Sequence, residues 1–357
     1  RGLCLEGIST PSVPKTPKKG FKVCVCGGAG SIGQPLCMLM ALDPRVWELA
    51  VYDLTITMVP AEGISTDLGH IERKCKVKAF CLETTQKPVD HLEECLSGCS
   101  LVLIPAGVPS KGRSKSDLLK INANIAKQIV EACAKFCPEA VVGLIVHPLN
   151  SVVPAMARLY EKAGLDPLKI CGITTLDVVR ANKFVHEESG APIERVSVPV
   201  VGGHTGVLSG ATAVPLLSQD PVATRLTKEQ REALVRRVQD ASTEVANAKK
   251  GKGAATLSMA YASARFGQAV LAGLSGQRTV ESAFVKSSVF DGLDYFASRV
   301  TFGPKGVEKV HPVGKVSEAE SGLLAKAASI LQEEIKDGLA YAENTDLTGL
   351  SNLTGQL

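Results

Sequence analysis

From Phe21 onward the chain alternates short apolar runs with amphipathic stretches. Lys22–Cys26, Leu49–Asp53, Ser100–Pro105 and Val141–Val146 are five or six residues long and rich in Val, Leu, Ile and Cys. Runs of that length and composition predict buried strands. Between the last two, Leu118, Ile121, Ile125 and Ile129 recur at helical spacing and predict a helix over 118–133 with these four on its buried stripe. Further on, Thr227 with Gln230 and Ser317 with Glu320 have capping-box spacing, predicting the starts of a long helix and of the last helix. Strands that alternate with helices predict an α/β chain built on a parallel sheet. The segment after Ala342 is polar and reads as a loosely held tail.

Composition narrows the class. The chain has 357 residues, 45% hydrophobic and 21% charged, which fits a globular protein of two packed domains. No apolar run reaches the roughly 18 residues that a transmembrane helix needs. A net charge of +4 is too diffuse to argue for nucleic acid, because no segment concentrates Lys and Arg with interleaved aromatics. The eleven cysteines follow neither a disulfide framework nor a zinc pattern. Cys24 and Cys26 share one face of their strand, and the cysteines read as small buried hydrophobes in a reducing compartment. Residues 1–20 are rich in Ser, Thr, Pro and Lys with a single acid, Glu6. They read as the remainder of an organellar transit peptide, with a shortened product as the competing reading.

The first strand runs into Gly27-Gly-Ala-Gly-Ser-Ile-Gly33, and an apolar helical run follows. Glycines at 27, 30 and 33, with Gly28 between the first two, suit a Rossmann-type turn. One permits the tight turn, one lets the backbone approach a pyrophosphate, and one lets the helix pack on the strand. The unpaired N–H groups at the helix start then favour the phosphates. Asp53, twenty residues after Gly33 at the end of the second strand, is placed to accept hydrogen bonds from the adenosine ribose. A carboxylate there repels a 2′-phosphate, so the expected cofactor is NAD rather than NADP.

Several longer motifs carry a family resemblance: Gly27–Gly33 with Gln34-Pro-Leu36, Ile104–Pro109, Thr174–Asn182, Val198–His204 and Ala255–Tyr261. With these the chain resembles the organellar malate dehydrogenases, most nearly the NAD-dependent ones of plants and algae, from about Phe21 to Lys336. The resemblance implies the lactate/malate dehydrogenase fold, a Rossmann-type parallel-sheet cofactor domain followed by an α+β catalytic domain. The corresponding division is residues 1–20 as a leader or flexible segment, 21–165 as the dinucleotide domain, 166–342 as the catalytic domain and 343–357 as a tail.

The resemblance also assigns roles. Removing a hydroxyl proton during hydride transfer needs a base of near-neutral pKa, which His204 provides. Asp177 matches the carboxylate that orients it, and Arg180, three residues on, matches the arginine that grips the substrate's 1-carboxylate. Arg113, Lys115 and Asn150 are the further substrate-binding candidates. Ser31, Ile32, Ala106, Gly107, Asn122, His147 and Met259 join Gly27, Gly30, Gly33 and Asp53 as expected cofactor contacts. No metal is expected.

Three positions depart from the family pattern. The loop Pro109–Asp117 is one residue shorter, with Ser110 and Lys115 where the family has two substrate arginines, and Arg113 is the nearest substitute. His147-Pro148 replaces the family's Asn-Pro, whose peptide bond is typically cis. Three readings follow: a malate dehydrogenase using Arg113 and Lys115, a dehydrogenase of another 2-hydroxy acid, or a catalytically degenerate subunit of a plastid AAA-type import or protease-like complex. The implied partners are a small 2-hydroxy or 2-oxo acid, a second copy of the chain as a homodimer and, on the third reading, a heterologous organellar complex. The implied location is an organelle interior, the chloroplast stroma ahead of the mitochondrial matrix.

Overall fold

The computed structural model describes residues 20–110, 112–205 and 210–347. The expected leader therefore lies outside the described residues, apart from Gly20, as do Lys111 and residues 348–357 of the expected tail.

The amino-terminal half is a regular α/β alternation. Its strands are β1 (Phe21–Cys26), β2 (Val46–Leu54), β3 (Lys76–Leu82), β4 (Cys99–Ile104), β5 (Val141–Leu144) and β6 (Ile170–Ile173). The helices between them are α1 (Gly33–Ala41), α2 (Ala61–Gly69), the single turns α3 (Pro88–His91) and α4 (Glu93–Leu96), α5 (Lys115–Phe136) and α6 (Leu149–Lys162). The six strands are parallel in the order β3-β2-β1-β4-β5-β6. β1, β4 and β5 are buried along nearly their whole length, which explains why they read as continuous apolar runs and not as alternations. The four strands expected from the sequence are among these six, each within a few residues of its expected ends.

The helix expected at 118–133 is α5, whose cap is Ser114 accepting from the Asp117 N–H. Its buried face differs from the expected stripe. Leu118 and Ile129 are buried, but Ile121 is 37% exposed. The face turned inward carries Leu119, Asn122, Ala123, Ala126, Val130 and Cys133. Small side chains let the helix lie close to its neighbours, so Ile121 and Ile125 are displaced to the flank.

The carboxy-terminal half continues the sheet with antiparallel strands. Its elements are α7 (Thr175–Ser189), β7 (Val200–Gly202), β8 (Ala213–Pro215), α8 (Lys228–Ala248), α9 (Leu257–Leu274), β9 (Thr279–Lys286), β10 (Tyr295–Gly303), β11 (Gly306–Val310) and α10 (Glu318–Glu343). β9 pairs antiparallel with β6, and the order runs on through β10, β7 and β8, with β11 also on β10. Both capping boxes are formed, Thr227–Gln230 at α8 and Ser317–Glu320 at α10. β6 pairs parallel with β5, so the parallel sheet runs past the expected division at 165/166. The segment after Ala342 is anchored as far as residue 347. The Lys162 ammonium donates to the carbonyls of Ala342 and Thr345 and pairs with Asp346, and Leu347 is buried.

The ten described cysteines are free thiols, and eight of them are buried in the two largest core clusters. Cys24 Sγ lies 3.6 Å from Cys26 Sγ and 3.5 Å from Cys95 Sγ, in contact without a bond. Burial pushes the Cys37 and Cys171 thiols up, which makes them poor nucleophiles. Among the described residues no helix is long and apolar enough to cross a membrane, and no cluster of His, Cys, Asp or Glu suits a metal ion.

Candidate active site

The cofactor end is built where β1, β2 and β4 finish. Gly27 has φ +97°, and a Cβ there would lie 2.8 Å from the Ala106 amide nitrogen. Only glycine lets the turn after β1 and the loop after β4 run this close, a contact fixed by the Ala106 N–H donating to the Cys26 carbonyl at 3.1 Å. Gly33 opens α1, and a Cβ there would collide with the carbonyl oxygen of Gly27. α1 has no side-chain cap and no acid in its first turn, so its N–H groups and positive dipole end are left for an anion. Gly30 and Ser31 are exposed on the rim of this turn, Ile32 is half-buried, and Ala106 packs against Gly27 from the next loop, with Gly107 beside Asn122.

Asp53 closes the other side. One carboxylate oxygen accepts from the Ala29 N–H and the other from its neighbour Leu54, both at 2.9 Å. Burial raises this carboxyl from its ordinary value, and the two backbone donors pull it back. A glycine cradle, free helix N–H groups and a fixed carboxylate fit a dinucleotide: phosphates on α1, ribose on Asp53.

The catalytic end lies where β5, β7 and α7 meet. α7 exists as the spacing required, so Asp177 and Arg180 are one turn apart, both buried. His204 follows β7 through Gly202 and Gly203. Its Nδ1 donates to Asp177 Oδ2 at 2.7 Å, with Asp177 1% and His204 6% exposed. A carboxylate accepting at Nδ1 favours the tautomer with its proton there and leaves Nε2 as the acceptor nitrogen. Arg180 Nη1 donates to Ser242 Oγ on α8 at 3.2 Å, while Nη2 is buried without a protein partner. Asp177 Oδ1 is likewise buried and unpartnered. A buried guanidinium nitrogen that no protein atom satisfies is a vacant donor, and a carboxylate oxygen is its natural acceptor.

The cleft in front of His204 is lined by Ile145, His147, Leu149, Ile173 and Met259. The His147 ring lies 5.0 Å from the His204 ring, tilted by 36°. His147 precedes Pro148 through a cis peptide bond. Its ring opens onto the cleft, so solvent tempers the effect. Even so, burial against the cleft wall holds its imidazole below the ordinary value, and nearby His204 and Arg180 act in the same direction against an opposing pull from Asp177. A neutral, bulky ring therefore stands at this position.

The other expected contact residues are engaged by protein groups. Asn122 is 1% exposed, and its side chain is fully used: it accepts from the Val108 N–H at 2.8 Å and donates to the Val108 and His147 carbonyls. It fastens the loop after β4 to the backbone of His147. Asn150 is fully buried and grips the backbone of His204, accepting its N–H at 2.9 Å and donating to its carbonyl at 3.1 Å. The structure places it behind His204 and not among the cleft-lining residues. The Lys115 ammonium pairs with Glu334 at 2.7 Å, and the Arg113 guanidinium folds back onto the Pro109 carbonyl at 2.9 Å. Neither loop cation is presented to the cleft in this conformation. Thr212, Ser242 and Glu334, which support the trio, had no signal in the sequence, because each comes from a separate element far along the chain.

The chain matches known proteins over most of its length. The NAD binding domain of lactate/malate dehydrogenase matches residues 21–172, and the alpha/beta C-terminal domain of lactate/malate dehydrogenase matches 174–342. The chain belongs to the lactate/malate dehydrogenase family. Within that family it is 45% identical over 327 residues to a mitochondrial malate dehydrogenase of Chlamydomonas reinhardtii, covering 91% of this chain and 83% of the relative. It is also 45% identical to a glyoxysomal malate dehydrogenase of Citrullus lanatus, covering 90% and 87%. Among solved structures it is similar to the lactate dehydrogenase of Cryptosporidium parvum complexed with lactic acid and nicotinamide adenine dinucleotide. That likeness has a TM-score of 0.73 at 25% identity and covers 91% of this chain and 99% of that one. The family's NAD binding domain spans the cradle described above, and NAD is the cofactor. The two family models meet between residues 172 and 174, at the end of β6.

Proposed function

We propose that the chain is an NAD-dependent dehydrogenase of 2-hydroxy acids, with malate as its substrate and oxaloacetate as the product. The observation that carries this reading is the buried His204–Asp177 pair beside a guanidinium with a vacant donor. Arg180 binds the carboxylate next to the reacting carbon, which sets the hydroxyl against His204 Nε2. Nε2 takes the hydroxyl proton, and the charge that arises on the imidazole is balanced by Asp177 at Nδ1. When bound, NAD supplies the acceptor for the hydride that leaves the same carbon. In the reverse direction protonated His204 returns its proton to the carbonyl oxygen of the 2-oxo acid. The apolar lining of Ile145, Leu149, Ile173 and Met259 keeps water from competing for these polar contacts.

One observation favours a neighbouring reading. Arg113 and Lys115 are both engaged by protein groups, so recognition of malate's second carboxylate depends on rearrangement of the loop between β4 and α5. A 2-hydroxy acid with an uncharged distal group needs no such rearrangement. The degenerate-subunit reading gains no support from the named relatives, which are malate dehydrogenases. The named relatives are mitochondrial and glyoxysomal, which favours an organelle interior without singling out the stroma.

The test is NADH oxidation with oxaloacetate against a panel of 2-oxo acids bearing charged, polar or aliphatic distal groups. Preference for oxaloacetate supports the malate reading, and preference for an uncharged distal group supports its neighbour. No oxidation with any of them, by protein that binds NADH, overturns both.

A further inference from the structure

Glu334, on α10, is fully buried, although a buried carboxylate is costly unless it is paired and hydrogen-bonded. Its position follows from how α10 is seated. Gly338, one turn further on, is pressed against α6 so closely that a Cβ would collide with the Ser151 carbonyl. Leu331, one turn earlier on that face, packs against Gly203 with no room for a Cβ between them. The face of α10 that carries Glu334 is therefore fixed over the start of α6 and over the backbone that leads to His204.

Glu334 meets two side chains there. Oε2 accepts from the Asn150 amide at 2.7 Å. Oε1 lies 2.7 Å from the Lys115 ammonium, close enough for an ion pair but without the alignment of a hydrogen bond. Asn150 in turn holds both backbone polar groups of His204, and Thr212 Oγ1 adds a donor to the same His204 carbonyl at 3.0 Å. The amide of Asn150 is oriented by Glu334: a carboxylate on its nitrogen leaves only its oxygen to receive the His204 N–H.

We propose that Glu334 is a positioning residue for His204, acting through Asn150, with Lys115 serving as the counter-charge that lets the carboxylate stay buried. This rests on the reading of His204 as the base. It gives Lys115 a structural task at the start of α5 in place of the substrate contact that its sequence position suggests. Because Lys115 follows directly on the loop after β4, the same carboxylate ties the end of that loop to the backbone of the base.

The test pairs kinetics with a signal that needs no turnover. Replacing Glu334 by Ala frees the Asn150 amide and lets the His204 backbone shift, and displacement of a reacting group by about 1 Å costs on the order of 100-fold. The expected result is a 10- to 100-fold lower kcat for Glu334→Ala with NADH affinity unchanged, and recovery of most of that loss in Glu334→Gln, which keeps an acceptor for Asn150. Asn150→Ala should cost a similar amount, and the double variant no more than Asn150→Ala alone, because the two act in series. With 15N-histidine labelling, the low-field proton of His204 Nδ1 held by Asp177 should move in Glu334→Ala and return in Glu334→Gln. Should Glu334→Ala not fold, Glu334→Met fills the space without an acceptor and is read in the same way. An unchanged kcat and low-field proton in Glu334→Ala, or losses that multiply in the double variant, would overturn the proposal. If the wild type turns over no 2-oxo acid, the dehydrogenase reading fails on its own, and the low-field proton alone decides the role of Glu334.

Discussion

The His147 and His204 rings lie 5.0 Å apart on the wall of one cleft, with Asn122 holding the His147 carbonyl from behind at 2.6 Å. The position before Pro148 is therefore fixed in backbone while its side chain departs from the asparagine that the family resemblance implies. An imidazole there is larger than an amide and takes up space in the cleft beside His204. His147→Asn should raise turnover of oxaloacetate by about 10-fold, the effect of regaining one well-placed hydrogen bond to a charged or polarised group. Steady-state kinetics of the two proteins check this.

The same ring makes stability depend on pH. The fold holds the His147 imidazole below its usual value, so as pH falls the unfolded chain takes up this proton before the folded one does. The sign follows: the contribution is intact above pH about 6.5, the ordinary imidazole value, and is lost progressively below it. The midpoint of thermal unfolding should fall more steeply between pH 6.5 and pH 5 in the wild type than in His147→Asn. Differential scanning calorimetry across that range is the measurement.

Asp177 should matter to rate far more than to binding. Asp177→Asn keeps the shape but no longer fixes the proton on Nδ1 of His204, so Nε2 loses its basicity. The expected loss in kcat is about 100- to 10,000-fold, with NADH affinity retained by fluorescence titration.

Arg180 is expected to set affinity for the 1-carboxylate. Its Nη2 has no protein partner, and burial lowers the guanidinium's pKa from its ordinary value while Asp177 opposes the shift. An arginine stays charged regardless. Arg180→Met should reduce kcat/KM for every 2-oxo acid in the panel by about 10- to 150-fold or more, the range for one charge-assisted hydrogen bond. A uniform loss across the panel distinguishes this contact from any made to the distal group.

Packing gives a prediction independent of chemistry. Gly338→Ala introduces a Cβ that collides with the Ser151 carbonyl, backbone against backbone. Overpacking of this kind costs about 1–3 kcal/mol. The unfolding midpoint should fall, and kcat should fall with it, because α10 would be lifted from Asn150.

What could be read in the sequence was what lies within a few residues. The glycine turn and Asp53 are set by one strand–helix–strand unit, and Asp177 and Arg180 by one turn of helix. Their types and spacing therefore carry the chemistry before any folding is known. His204 was legible only with the resemblance, because nothing local marks a histidine after Gly203 as a base. The roles of Asn122, Asn150 and Lys115 were not legible. Each depends on what lies opposite, such as a carboxylate 184 residues from Asn150. The helical stripe of α5 was displaced because alanine, weak in any hydrophobic pattern, is the residue that close packing selects.

The account stands on His204 acting as the base of a 2-hydroxy acid dehydrogenase, and single-turnover decay of the nicotinamide absorbance tests that most directly. Enzyme loaded with NADH and mixed with oxaloacetate or the best acid of the panel should lose that absorbance. His204→Asn, with the same NADH bound, should do so at least about 100-fold more slowly. Equal rates in the two proteins, or an absorbance that persists in the wild type with every acid, would contradict it.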